Sequence, residues 1–286
     1  MAHCVVQAAE DILDKEFPVL NRGFVRLVDY LGGDDRVVQS ARVSYGEGTK
    51  TYREDAALID YLLRNQHTSP FEQVVLTFHI KLPIFVARQW IRHRTARLNE
   101  ISGRYSVMKD EFYVPAPEDV AYQSADNKQG RSDESLPAEL AEEIRGGFEE
   151  GQKRAYGDYS DLVEQGIARE LARINLPLSL YTEWYWQIDL HNLFHFLQLR
   201  LDPHAQKEIR AYAQVILEIT RKVVPRSCGS FENHVLGGVR FSADELAELQ
   251  RRLSETTTEV GSTKTTSLSG KALERFEEKL RKGRQL

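Results

Sequence analysis

The chain is poor in the residues that mark several common kinds of protein. It has two cysteines in 286 residues, Cys4 and Cys228, too few for a disulfide framework or a four-thiolate metal site. No run approaches the roughly 18 uninterrupted apolar residues that span a bilayer. The opening MAHCVVQAAEDILDKEF meets acidic residues early and lacks the basic-then-apolar order of a signal peptide. Glycine-rich phosphate loops are missing too. No G-x-G-x-x-G occurs, and Gly46-Glu-Gly-Thr-Lys50 has the wrong spacing for a P-loop, so any dinucleotide must be held by side chains. Charge of one sign is not in large excess: 38 Lys and Arg stand against 43 Asp and Glu, a net of −5. That excludes a general nucleic-acid coat protein but leaves room for a local basic patch. A soluble, cytoplasmic protein without a membrane segment is expected.

What is present suffices for a core. The apolar share is 41 %, inside the globular range once glycine is added. Residues 54–65 place Leu58, Tyr61 and Leu62 on one helical stripe. Residues 74–82 alternate, with Val74, Leu76, Phe78, Ile80 and Leu82 on one face, which predicts a strand half-buried in the core. Pro83 suits the first position of a helix over PIFVARQWIRHR. A short strand is expected at 111–115. The acidic segment 118–143 reads as a surface loop or insertion, followed by a long helix turning Ile144, Phe148, Tyr156, Tyr159 and Leu162 inward. A short helix over 168–176 stops near Pro177.

Residues 178–188 alternate again, and Asp189 is placed to cap a helix over LHNLFHFLQLR, with another helix over 204–222. Ten of the seventeen residues from Ser254 to Gly270 are Ser or Thr, a flexible linker by composition, and Leu273, Phe276 and Leu280 predict a short terminal helix. Helices and strands interleave without regular crossover spacing, so the expected class is α+β.

The informative stretch is Arg88 to Tyr105, RQWIRHRTARLNEISGRY, with five arginines and one acid. Arginine's planar fork binds phosphate oxygens in pairs, and Asn99, Glu100 and Ser102 can read a base or sugar edge. The alternatives are a solvated basic face, an ion-pair network with the acidic segment, or a nucleic-acid patch. Interleaved aromatics for base stacking are sparse there, only Trp90 and Tyr105. The second constellation is Asp189-Leu-His191-Asn-Leu-Phe-His195, with Arg200 beyond it. His191 and His195 share a helix face and, with His204, could be metal ligands of a hydrolase, but the glutamate of H-E-x-x-H is Asn192 here. Two packed histidines, and an arginine paired with a helix C-terminus, are the plainer readings. His67 alone reads as a loop histidine, and Cys228 as an idle thiol.

The run Arg92-His93-Arg94-x-x-x-x-Asn99-Glu100-x-Ser102-x-Arg104-Tyr105 closely resembles the signature RHR-x-x-S-x-NE-x-S-x-RY of the flavin-dependent thymidylate synthases, the ThyX family. The likeness continues through HxxPFE at 67–72, ARQW at 87–90, LARxxLPLxLYT at 171–182 and FLxLRLDxHAQxEI at 196–209. It covers about residues 22–235, with an insertion at 118–138.

The resemblance implies one ThyX-like domain over 1–240, a central, mostly antiparallel sheet flanked by helices, and a C-terminal extension over 241–286. It implies a homotetramer with sites shared between subunits, and no nucleic-acid partner. The implied reaction methylates dUMP at C5 with 5,10-methylenetetrahydrofolate, FAD reduced by NADPH supplying the hydride. Gln89, Arg92, Glu100, Ile101, Ser102, Gly103 and Arg104 would contact dUMP, with Arg173 from another subunit. Arg92, His93, Arg94, Glu100, Ser69, Asp189, His191 and His195 would touch FAD, with His67 near flavin and folate. Arg200 matches the arginine that polarises the uracil ring, where a guanidinium against N3–O4 stabilises developing charge by several kcal/mol. Ser102 has no flanking base and reads as a ligand contact. The sequence departs from the family pattern at Arg97, where the signature has serine, and at Asp189, His191 and His195.

Overall fold

The computed structural model describes residues 4–44, 52–125 and 129–256, together with 270, 273, 274 and 276. The Gly46–Lys50 loop, residues 257–269 of the Ser/Thr-rich linker, and Leu280 of the terminal helix lie outside the described residues; 273, 274 and 276 have helical backbone. The chain divides into two units, residues 1–236 and 237–286.

In the first unit the order is α1 (Gln7–Glu10), β1 (Glu16–Val19), β2 (Gly23–Leu31), α2 (Asp34–Ala41), α3 (Tyr52–Arg64), β3 (Val75–Pro83), α4 (Ile84–Trp90), β4 (Arg97–Glu100), β5 (Ala121–Gln123) and β6 (Arg131–Ser135). Then come α5 (Ala138–Glu164), α6 (Arg169–Ala172), β7 (Tyr181–Asp189), α7 (Leu190–Arg200), α8 (Lys207–Val223) and α9 (Pro225–Phe231), which ends in a π turn over Glu232–Leu236. In the second unit, α10 (Ala243–Thr256) starts with a reciprocal cap: Glu245 N–H donates to Ser242 Oγ at 3.2 Å, and Ser242 N–H to Glu245 Oε2 at 2.8 Å.

Five strands form one antiparallel sheet in the order β1-β2-β3-β7-β4. The mixed helix-and-sheet class and the antiparallel pairing are as expected. β3 and β7 lie side by side, with Phe78 opposite Trp186 and Ile80 opposite Trp184. Their buried faces, Leu76, Phe78, Ile80 and Leu82 against Leu180, Thr182, Trp184, Trp186 and Ile188, follow the alternation read from the sequence, except that Leu178, expected on the same face, lies before the strand and is exposed. Over this face pack α4, α7 and α8. Trp90, fully buried at the end of α4, touches Trp184, Trp186, Phe196 and Tyr212 with ring centroids 4.6–6.0 Å apart. Tyr212 donates its hydroxyl to Lys81 C=O at 2.7 Å and crosses β2 so closely that a Cβ on Gly23 would lie 2.0 Å from its oxygen. Only glycine fits there.

Several expectations change. In α3 the buried positions are Ile59 and Leu62, while Tyr61 is exposed with its ring against His67 at 5.6 Å. The helix after Pro83 stops at Trp90 instead of running through the arginines. Residues 111–115 form no strand but touch β7's lead-in through a single bridge, Phe112 to Leu180. The acidic segment 118–143 is not all loop: it contains the β5–β6 hairpin and the start of α5. On α5, Tyr159 is buried and Tyr156 half-buried over Met108, but Phe148 is exposed.

Candidate active site

The C-terminal end of α4 and the face of α7 bring three predicted residues together. Asp189 caps α7 as expected, its carboxylate accepting from Asn192 N–H at 3.0 Å and from the Asn192 amide at 2.7 Å. Five residues apart on that helix, His195 is exposed and Arg200 half-buried. Arg200 Nε donates to His93 Nε2 at 2.9 Å, and the rings of His93 and His195 lie 6.2 Å apart. Burial, then the charge of Arg200 and that of His195, presses the His93 pKa down to about 4. His93 is therefore neutral at pH 7 and accepts, while the terminal nitrogens of Arg200 have no protein partner among the described residues. The 67–73 loop adjoins this group, with Phe71 against Phe194 of α7 at 6.5 Å, and carries His67 and Ser69, both exposed. Gln89 donates its side-chain amide to Gln206 just before α8.

A second group forms on the edge strand and the turn after it. β4 pairs with β7, placing Arg97 opposite Gln187, to whose amide oxygen it donates at 3.4 Å. Glu100 accepts from Thr182 Oγ1 at 2.6 Å, and Ile101 N–H donates to Glu183 C=O at 2.9 Å. The chain then turns on Ser102, whose carbonyl accepts from Tyr105 and Ser106 N–H. Arg104 pairs with Glu170 at 3.0 Å, and Arg169 donates to Tyr105 C=O at 2.8 Å, which binds the turn to α6. Arg173, expected from a different subunit than Ser102, Gly103 and Arg104, instead packs on Gly103 of its own chain, where a Cβ on Gly103 would meet its side chain at 3.2 Å and Met108 Sδ at 3.0 Å.

Of the five arginines in the basic stretch, only Arg104 forms an ion pair, and none pairs with the 118–143 segment, among the described residues. The side chains of Arg88, Arg92 and Arg94 make no hydrogen bond or ion pair among those residues, and Arg92 and Arg94 are exposed. Uncommitted guanidinium forks beside a neutral histidine suit a ligand with phosphates. No group of three His, Cys, Asp or Glu is gathered as a metal site among the described residues; His204 bonds Asp202 at 2.9 Å. Trp90 is too buried to stack on a base.

Two cavities adjoin these groups, one through Glu183, the partner of Ile101, and one through Gln206, the partner of Gln89. One, of about 530 Å³, is lined by His79, Lys81, Lys109 and Glu183, whose charges pair with one another or with Glu111. The other, of about 420 Å³, is lined by Tyr113, Arg131, Gln206 and Glu208. Gln206 and Glu208 were not among the expected site residues. Their signal was an acid on the buried stripe of α8, in line with Tyr212.

Fold and site together define a class: a mixed helix-and-sheet protein with one antiparallel sheet and a cluster of uncommitted arginines whose forks suit a phosphorylated ligand. The profile of the family described as "Thymidylate synthase complementing protein" matches residues 26–226, and that of the "Thymidylate synthase ThyX C-terminal domain" matches 239–286. The chain is 66 % identical over 274 residues to a flavin-dependent thymidylate synthase of Treponema denticola, covering 96 % of this chain and 100 % of that one. A flavin-dependent thymidylate synthase of Thermus thermophilus is 59 % identical over 237 residues, 83 % of this chain and 86 % of that one. Among solved structures, the UMP/dUMP methylase PolB of Streptomyces cacaoi bound with 5-Br dUMP superposes with a TM-score of 0.70 at 32 % identity, covering 77 % of this chain and 98 % of that one. The chain belongs to the flavin-dependent thymidylate synthase family.

Proposed function

We propose that this chain converts dUMP to dTMP by reductive methylation at C5, with 5,10-methylenetetrahydrofolate giving the carbon, NADPH the reducing equivalents, and FAD as resident cofactor. Tetrahydrofolate and NADP⁺ are the co-products. The observation that carries this reading is the Arg200–His93 pair beside uncommitted arginines, in a chain whose relatives bear that name. His93 accepts at Nε2 and orients the guanidinium, leaving its terminal N–H groups to face the N3–O4 edge of uracil. Charge that develops on the ring is then met by a cation that keeps its proton. FAD, when bound, would supply the hydride equivalent, so no residue of the chain is needed as a nucleophile.

Arg92, His93, Arg94 and Glu100, with Ser69, Asp189, His191 and His195, would hold the flavin, and His67 lies on the loop beside them. Gln89, Arg92, Glu100, Ile101, Ser102, Gly103, Arg104, Arg173 and Arg200 would hold dUMP. Ser102, Gly103, Arg104 and Arg173 belong together in one chain, which supports their acting as a unit on the ligand held by Gln89, Arg92 and Arg200 of another subunit. We further propose a cytoplasmic homotetramer with shared sites, built on a 1–240 domain with a 241–286 extension.

The test is an absorption spectrum of the purified protein before and after dUMP, followed by NADPH oxidation with methylenetetrahydrofolate and chromatography for dTMP. Flavin bands that shift with dUMP, and dTMP formed in step with NADPH loss, are expected. A colourless protein that cannot be reconstituted with FAD overturns the reading.

A further inference from the structure

Glu208 touches none of the groups assigned to a ligand, yet it is only 1 % exposed and its carboxylate is fully committed. Its Oε1 accepts from the Tyr113 hydroxyl at 2.8 Å and from the Arg131 guanidinium, which reaches in from the β5–β6 hairpin. Its Oε2 accepts from the Gln206 amide at 2.8 Å. Burial alone would push this carboxyl up, but the hydrogen bond and charge of Arg131, a backbone N–H and Tyr113 outweigh burial and hold it below the usual range.

An ionised carboxylate has no proton to donate, and this sets a direction on everything bonded to it. Gln206 must turn its NH₂ to Glu208, so its carbonyl oxygen points the other way, and that oxygen accepts from Gln89 Nε2. Gln89 therefore has one N–H of its NH₂ directed at Gln206, which fixes which arm of the amide is which, and its own carbonyl oxygen is free of any protein donor among the described residues. A glutamine amide can otherwise present either end to a ligand at similar cost. The backbone of Gln206 is itself anchored at the start of α8, where its carbonyl accepts from Arg210 N–H at 3.1 Å.

We propose that Glu208 is a positioning residue: acting through Gln206, it fixes the Gln89 amide so that an acceptor, not a donor, faces the pyrimidine nucleotide. Arg131 holds the far end, which ties the insertion to nucleotide recognition. The inference rests on the reading of Gln89 as a nucleotide contact. A ligand with an N–H or O–H opposite the Gln89 oxygen is favoured over one with a lone pair there.

The experiment is a double-mutant cycle read by dUMP affinity on the FAD-loaded protein: wild type, Glu208→Gln, Gln89→Ala and the pair. Glu208→Gln keeps the shape but frees the relay to reverse, and should weaken dUMP binding about tenfold while FAD affinity holds. In the Gln89→Ala background the same change should cost less than about twofold. Gln206→Leu, which leaves the Glu208–Arg131 pair intact, provides a second cycle if Glu208→Gln does not fold. An equal loss with and without Gln89 overturns the relay alone, as does no loss from either single change. A wild-type protein that binds FAD but no dUMP overturns the relay and the proposed function together.

Discussion

The bond between Arg200 and His93 needs a lone pair on His93 Nε2, so it exists only while the ring is neutral. Burial first, then Arg200 and His195, puts the folded pKa at about 4, against 6.5 for the free side chain. A lowered pKa means that the unfolded chain binds the proton more readily. The stability that comes from keeping this ring neutral, owed first to its burial and then to Arg200 and His195, is therefore present in full above about pH 6.5 and is lost as pH falls toward about 4. At about 1.4 kcal/mol per pH unit the gap is worth roughly 3 kcal/mol, and solvent at this half-buried ring reduces it to about 1–2 kcal/mol. The assay is NMR titration of the histidine Cε1–H signals, eight in all, with His93→Gln to assign the one of interest. One histidine should stay neutral to below pH 5. Arg200→Leu should raise its midpoint only part of the way to 6.5, because burial is the larger cause and persists. A wild-type His93 that titrates near 6.5, or a midpoint indifferent to Arg200, refutes the reasoning.

Three further outcomes are expected. Arg200→Lys should leave FAD bound and lower turnover at least tenfold, since lysine cannot bond His93 and still present a fork; unchanged turnover removes Arg200 from the mechanism. Arg104→Ala should weaken dUMP binding with little loss of stability, because its pair with Glu170 is exposed; release of FAD with dUMP affinity intact would show that the arginines are wrongly partitioned. Trp90→Ala should cost about 3–5 kcal/mol in denaturant unfolding, since four aromatic rings lose their common neighbour, and a cost under about 1 kcal/mol would mean that this part of the core collapses to fill the gap.

The parts of this protein written most plainly in its sequence are those with one wet and one dry side. β3 and β7 announced themselves because each buries alternate residues on the same core, and period two survives in the sequence. Asp189 was legible as a cap because capping is local chemistry within three residues. β2 was not legible: the register shifts between Leu27 and Asp29, which moves the buried position from the odd residues to Tyr30 and breaks the alternation. β4 is exposed along its whole length and is a strand only because β7 offers a free edge. The β5–β6 hairpin lies in acidic, turn-rich sequence and is tied down by a buried carboxylate about 75 residues away along the chain.

The sequence by itself determined the family, because its arginines, Asn99, Glu100, Ser102 and Tyr105 stand in an order that chemistry rather than packing imposes. It also determined the two central strands and the helix that carries Arg200, through periodicity and a cap. Only the tertiary structure decided which of those charges are free. Distance along the chain says nothing about Arg200 meeting His93, Arg104 meeting Glu170 or Gln89 meeting Gln206, since each pair is closed by the packing of helices on a sheet. Those closures set what each side chain has left to offer a ligand. Arg200 keeps two terminal nitrogens, Gln89 keeps an oxygen, and Arg92 and Arg94 keep their whole forks, because burial and partners took everything else.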